Sequence, residues 1–125
     1  MPAEMPVRAV RGAITVAENS RAAILEGTLA LLQALVEANG LNAGDVIAAV
    51  FSATPDLDQA YPAEAARSIG WTEAGLLCVQ EMRVEGALDA CIRVQVLWET
   101  DRPQSSMRHC YLRRAADLRR DLRND

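Results

Sequence analysis

Two hydrophobic rhythms alternate along the 125-residue chain, and their order sketches a fold. The run Val7 to Val16 alternates apolar and polar positions around Arg8 and Arg11, the period of two that marks a strand. Asn19 or Ser20 then offers a helix N-cap, and Ile24, Leu25, Thr28, Leu31, Leu32, Leu35 and Val36 recur on one helical face. Asn39-Gly40 is a good helix stop. Val46 to Ser52 is short, continuous and apolar, which suits a central strand, and Pro55-Asp56 breaks it. Pro62 opens a brief helix over Ala63 to Ile69. Two more strand-like runs follow, Leu76 to Met82 and Cys91 to Trp98, with Gly86 in the turn between them. Met107 to Leu112 fits either a last strand or the start of a helix through Leu118, and periodicity leaves both open. No repeat, linker or low-complexity segment interrupts the pattern, which predicts one α+β domain over residues 1–125.

One position breaks the rhythm. Arg93 sits inside Cys91-Ile92-Arg93-Val94-Gln95-Val96-Leu97-Trp98, a run otherwise suited to burial. A guanidinium cannot be titrated away, and its five donors need acceptors. An unpaired buried charge costs several kcal/mol, so either a protein carboxylate or an anionic ligand should meet it. Glu81, in the preceding apolar run, is the internal candidate, and a structural ion pair between the two is the plain alternative to a functional role. Arg11 adds a second cation, unless the first strand is an edge that leaves it in water. Two arginines against one acid leave a surplus that suits a small dianion.

Composition narrows the chemistry. Half the residues are hydrophobic and only 4% aromatic, so the core is expected to be aliphatic and alanine-rich. Three cysteines, Cys78, Cys91 and Cys110, form no CxxC and read as free thiols in a reducing compartment. The single histidine, His109, has no ligand-type partner at helical spacing, so no metal site is expected. All 13 basic residues are arginine, which excludes Schiff-base lysine chemistry and a Walker-type lysine. There is also no GxGxxG or GxxxxGK[ST]. The net charge of −4 gives no pull toward nucleic acid, and the C-terminal arginines alternate with Asp117, Asp121 and Asp125 as on a solvated surface. No run is long and apolar enough for a membrane span and the start lacks a signal-peptide pattern, so a cytoplasmic protein is expected. No Ser-His-Asp set is legible, and nothing visible would activate a cysteine beside His109. What remains is electrostatics and hydrogen-bond donors.

Six runs together resemble a known family. They are Arg8 to Val16, Ser52 to Leu57, Tyr61-Pro62-Ala63, Cys78 to Met82, Cys91 to Val94 and Arg108 to Leu112. In order, and nearly without gaps from about residue 7 to 122, they are similar to the monofunctional bacterial chorismate mutases of the AroH class. The resemblance implies a mixed β-sheet packed with one long helix, assembled as a trimeric pseudo-α/β-barrel with active sites at the subunit interfaces. It implies rearrangement of chorismate to prephenate, on the route to phenylalanine and tyrosine, with no cofactor. It further implies that Arg93 donates to the ether oxygen of the breaking bond and to a carboxylate, and that Glu81 and Cys78 hold the ring hydroxyl. Arg11 and Tyr111 would bind carboxylate. Tyr61, Ala63 and Arg67 would line the pocket from a neighbouring chain, with Leu77 beside Cys78, and Leu118 and Arg119 would belong to a C-terminal segment that closes over the ligand. Two positions depart from the Bacillus-type pattern: Glu64 replaces a lysine, placing negative charge near the entrance to a dianion's site, and Leu77 replaces a threonine.

The implied chemistry agrees with the residues. A Claisen rearrangement is unimolecular, so it needs no nucleophile, metal or proton carrier, only a compact substrate conformation and stabilised charge on the ether oxygen. Strand parity adds a point of its own. Cys78 and Glu81 are three positions apart, so in a regular strand they face opposite sides of the sheet. Both can meet ligand only if each side serves a different neighbour. Two other classes compete: a RidA/YjgF-like trimeric imine deaminase, which also grips a carboxylate by arginine, and a non-catalytic module binding a small carboxylate. A ring-hydroxyl partner such as Glu81 favours the mutase.

Overall fold

In the computed structural model, which describes residues 5–118, the two rhythms resolve into strands and helices close to those expected. Strand β1 (Val7–Thr15) leads into helix α1 (Arg21–Asn39). Ser20 caps the helix, its hydroxyl accepting from the Ala23 N–H at 3.1 Å, and Gly40 ends it in the left-handed conformation at φ 64°. Strand β2 (Val46–Ala53), helix α2 (Ala63–Ser68), strand β3 (Gly75–Gln80), strand β4 (Cys91–Glu99) and strand β5 (Cys110–Leu112) follow. The segment left open between strand and helix is both in turn. Three residues of β5 pair with β1, then Arg113 takes φ 56° and a 3-10 turn runs to Asp117. Thr15 ends the pairing by using its own carbonyl and hydroxyl on Arg113 Nη1, at 3.2 Å, and on the Arg114 N–H, at 3.1 Å.

The five strands form one mixed sheet in the order β3-β2-β4-β1-β5. β4 runs antiparallel to both β1 and β2, while β2–β3 and β1–β5 are parallel. α2 supplies the crossover between the parallel neighbours β2 and β3, and α1 joins the parallel strands β1 and β2 across β4. The core lies there: Ile24, Leu31, Leu32 and Leu35 of α1 meet Val10, Ile14, Phe51, Ile92, Val94 and Val96, all buried. α1 is long and apolar enough to cross a membrane by length and composition alone, yet its apolar stripe is spent on this sheet. β1 is an interior strand, with β4 on one side and β5 on the other, so Arg11 does not lie on an edge.

Two glycines let the helix sit this close. A Cβ at Gly12 would stand 2.8 Å from Leu31 Cδ1 and 2.9 Å from the Cys110 carbonyl oxygen; at Gly27 it would meet Val16 Cγ1 at 2.5 Å. The backbone oxygen cannot yield without disturbing β5. Gly12→Ala is therefore expected to destabilise the fold by about 1–3 kcal/mol, as overpacking does, read as a lower midpoint in urea unfolding. An unchanged midpoint would mean that β5 gives way freely.

The other face of the sheet is covered at one end, where Ala115 and Leu118 pack over Ala13 and Cys91, and open elsewhere. Val50, Leu77 and Val79 point outward at 40%, 57% and 44% exposure, around a polar centre. Apolar side chains grouped on one sheet face mark a surface made to be covered.

Candidate active site

Pairing register gathers the charged residues on that open face. Ser52 lies opposite Arg93, Ala13 opposite Arg93 on its other side, and Arg11 opposite Gln95. Tyr111 pairs with Ala13 and so points the same way. Alternation then gives Ile92, Val94 and Val96 to the core and Arg93 and Gln95 to the open side. Arg11, Ser52, Arg93, Gln95 and Tyr111 line one cavity of about 330 Å³.

Arg93 is the anomaly that the sequence announced. Its side chain is 35% exposed, yet its Nε is shut off from solvent and without a hydrogen-bond partner among the described residues. Glu81 is the nearest acid, Oε1 lying 3.5 Å from that Nε, an ion-pair distance too long for a hydrogen bond. The acid is held elsewhere: Ser52 Oγ donates to the same Oε1 at 2.6 Å. Glu81 stands just past the end of β3, kept in line by its own N–H donating to the Ala53 carbonyl at 2.9 Å. So Ser52 pins the carboxylate beside the guanidinium without letting the two satisfy each other. Beneath them Cys91 is buried, which pushes its thiol pKa up and keeps it un-ionised, with Arg93 pulling the other way. It is an inert filler, as is Cys110, whose pKa burial also raises.

Arg11 reaches the cavity half-buried, and no carboxylate lies within ion-pair distance of it among the described residues. Its backbone is fixed by a side chain: the Arg11 N–H donates to His109 Nδ1 at 2.9 Å, just before β5 takes over the ladder at Gly12. Leu118, Leu88 and Tyr111 pack against a small cluster of Ala13, Cys91 and Ala115 on this face. Arg119 lies outside the described residues.

The remaining candidates are on the opposite side. Cys78 pairs with Phe51 and faces the helices, whereas Leu77 and Val79 face the open side, so Leu77 is next to Cys78 in sequence but turned away from it. Cys78 and Tyr61 line a second cavity of about 550 Å³ with Arg21, Thr54, Asp58 and Gln80. Tyr61 is 72% exposed, Arg67 is exposed on α2, and Ala63 is buried in the core with its helix. Cys78 and Glu81 do lie on opposite faces: Cys78 is with Phe51 on the helix side, and Glu81, just past β3, meets Ser52 and Arg93 on the open side. Sequence reasoning missed Ser52 and Arg21 as site residues and gave His109 no role. Ser52 was visible only as a polar end to an apolar strand; its partner depends on register, which the sequence does not show.

The described residues hold no cluster of three metal-ligating side chains. A mixed α+β sheet with helices on one side, and fixed cations beside a pinned carboxylate on the other, defines a protein that acts on a small anionic molecule through charge and shape. Comparison with known proteins specifies which. The family model for chorismate mutase type I matches residues 7–122. The chain is 50% identical over 117 residues to chorismate mutase AroH of Thermus thermophilus, covering 93% of this chain and 96% of that protein. It is 43% identical over 119 residues to chorismate mutase AroH of Bacillus subtilis, covering 94% of each. The solved structure of a chorismate mutase from Clostridium thermocellum superposes with a TM-score of 0.86 at 44% identity, over 88% of this chain and 98% of that one. The chain belongs to the chorismate mutase type I family.

Proposed function

We propose that this protein is a chorismate mutase, an isomerase that converts chorismate to prephenate in aromatic amino-acid biosynthesis in the cytoplasm, without a cofactor. The observation that carries the reading is Arg93: a buried, unsatisfied guanidinium nitrogen beside a carboxylate that another residue holds in place. An unpaired donor of this kind is a liability for folding and a tool for a reaction that develops negative charge on oxygen.

The steps follow from the geometry. Chorismate is a dianion, and Arg11 and Arg93 supply the cations that hold its carboxylates in a compact conformation, with Tyr111 donating beside them. As the ether C–O bond breaks and the new C–C bond forms within the same molecule, electron density gathers on the ether oxygen. Arg93 meets that charge with donors already in place. Glu81, oriented by Ser52, accepts from the ring hydroxyl. Each cavity is one wall of a site, and the second wall comes from the Cys78 side of another subunit, with Tyr61, Ala63 and Arg67. The exposed Val50, Leu77 and Val79 support burial between subunits, and a ring of three closes it.

The direct test is to mix purified protein with chorismate and follow the loss of its absorbance. Turnover at micromolar enzyme is expected, and none would sink the proposal. No proton moves in the reaction, so the rate is expected to be nearly flat from mildly acidic to mildly alkaline pH. A steep bell-shaped profile would point to acid–base chemistry instead.

A further inference from the structure

The helix-side cavity has a charge arrangement that its sequence does not suggest. Glu64 and Arg67 stand three residues apart on α2, the spacing at which an acid and a base pair along one helix. They are not within ion-pair distance. Both Glu64 oxygens are taken by Arg21, whose Nη1 donates to Oε2 at 2.9 Å and whose Nη2 donates to Oε1. Arg21 is the first residue of α1 and lines the cavity with Tyr61 and Cys78. The acid in that lining, Asp58, is occupied by Asn19 Nδ2 at 2.8 Å and Gln59 Nε2 at 2.7 Å, while Glu64 reaches the lining only through Arg21.

Stability does not account for the Arg21–Glu64 pair. Its side chains are 59% and 38% exposed, the range in which ion pairs add little. An arginine in the first turn of a helix also opposes the helix dipole. What the pair changes is Arg67, which keeps no acidic partner among the described residues. The lowered pKa of Glu64, owed first to the Arg21 hydrogen bonds and only lastly to the charge of Arg67, agrees with this division.

We propose that Arg21 is a positioning residue for substrate capture: by holding Glu64 it leaves Arg67 unpaired for a substrate carboxylate and cancels the acid that would repel a dianion at the cavity rim. This rests on the chorismate mutase reading and adds to it a residue far in sequence from the other site positions. It also explains how a glutamate is tolerated at position 64. Without Arg21, Glu64 turns to its helical neighbour and silences Arg67.

The test is a cycle of Arg21→Ala, Glu64→Gln and the double variant, measured at low ionic strength. Arg21→Ala is expected to raise KM about five- to tenfold, roughly the effect of one partly screened charge, with kcat unchanged. The double variant is expected to return KM to near the wild-type value, and added salt to shrink the difference. Titration of the same proteins with prephenate by calorimetry should rank them alike. A wild-type KM in Arg21→Ala, or a double variant no better than Arg21→Ala, overturns the proposal. Turnover by the wild type separates the two ideas: its absence removes the parent reading, whereas its presence with an unaltered Arg21→Ala KM removes only the role of Arg21.

Discussion

Arg93→Ala is expected to lose nearly all turnover while binding chorismate less than tenfold more weakly. The Arg93 Nε has no hydrogen-bond partner, Glu81 stays at 3.5 Å, and Ser52 holds that acid in place. Arg11 remains to bind carboxylate after the substitution, so ground-state affinity survives in part. In the proposed reaction Arg11 and Tyr111 are engaged with carboxylate, so the ether oxygen loses the donor that faces it. A single fixed donor at a developing oxyanion is worth ~10²–10³ in rate, so kcat should fall by at least that much. The ion pair with Glu81 is long and partly exposed, and Nε makes no hydrogen bond with the described residues, so the variant is expected to be nearly as stable as its parent. Equal losses in kcat and in affinity would contradict a transition-state role. A melting temperature well below the parent's would mean that Arg93 is structural after all.

The second large effect is recovery of activity from two damaged proteins. The Arg93 cavity lies on the open face, whereas Tyr61, Cys78 and Arg67 belong to the helix side. If a working site joins one side of a subunit to the other side of its neighbour, lesions on opposite sides complement each other. Arg93→Ala damages one wall. Arg67→Glu, at an exposed position that the fold does not need, puts an acid against the substrate dianion at the other wall. Each alone should fall at least a hundredfold in kcat/KM, by the size of a fixed donor or a reversed charge. Mixed in equal amounts and allowed to exchange subunits, they should regain about a quarter of wild-type activity, the fraction of cyclic interfaces that combine two intact walls. Activity no greater than the sum of the two separate proteins would place the whole site within one chain.

Much of this was legible before any coordinates. The stripe from Ile24 to Val36 with its Ser20 and Gly40 ends set α1, because helical spacing and caps are local properties. Arg93 and Arg11 stood out because charge in an apolar strand conflicts with burial. The separation of Cys78 from Glu81 followed from strand alternation alone, and β3 keeps it even though Glu81 lies just past its end. The illegible parts were those that depend on partners distant in the chain. Ser52 meets Glu81 only through the β2–β3–β4 register, and Arg21 reaches Glu64 across 43 residues. Nothing in the sequence marks His109, yet its ring takes the Arg11 N–H where β5 has not yet begun. The residues from Met107 to Leu118 resisted assignment because a left-handed Arg113 ends β5 after three residues.

β3 is an edge strand that carries chemistry on both of its faces. Cys78 hangs on one side and Val79 and Glu81 on the other, all on a strand of six residues and the position after it. A substitution that tilts this short strand therefore displaces Cys78 and Glu81 together, on opposite faces of the sheet.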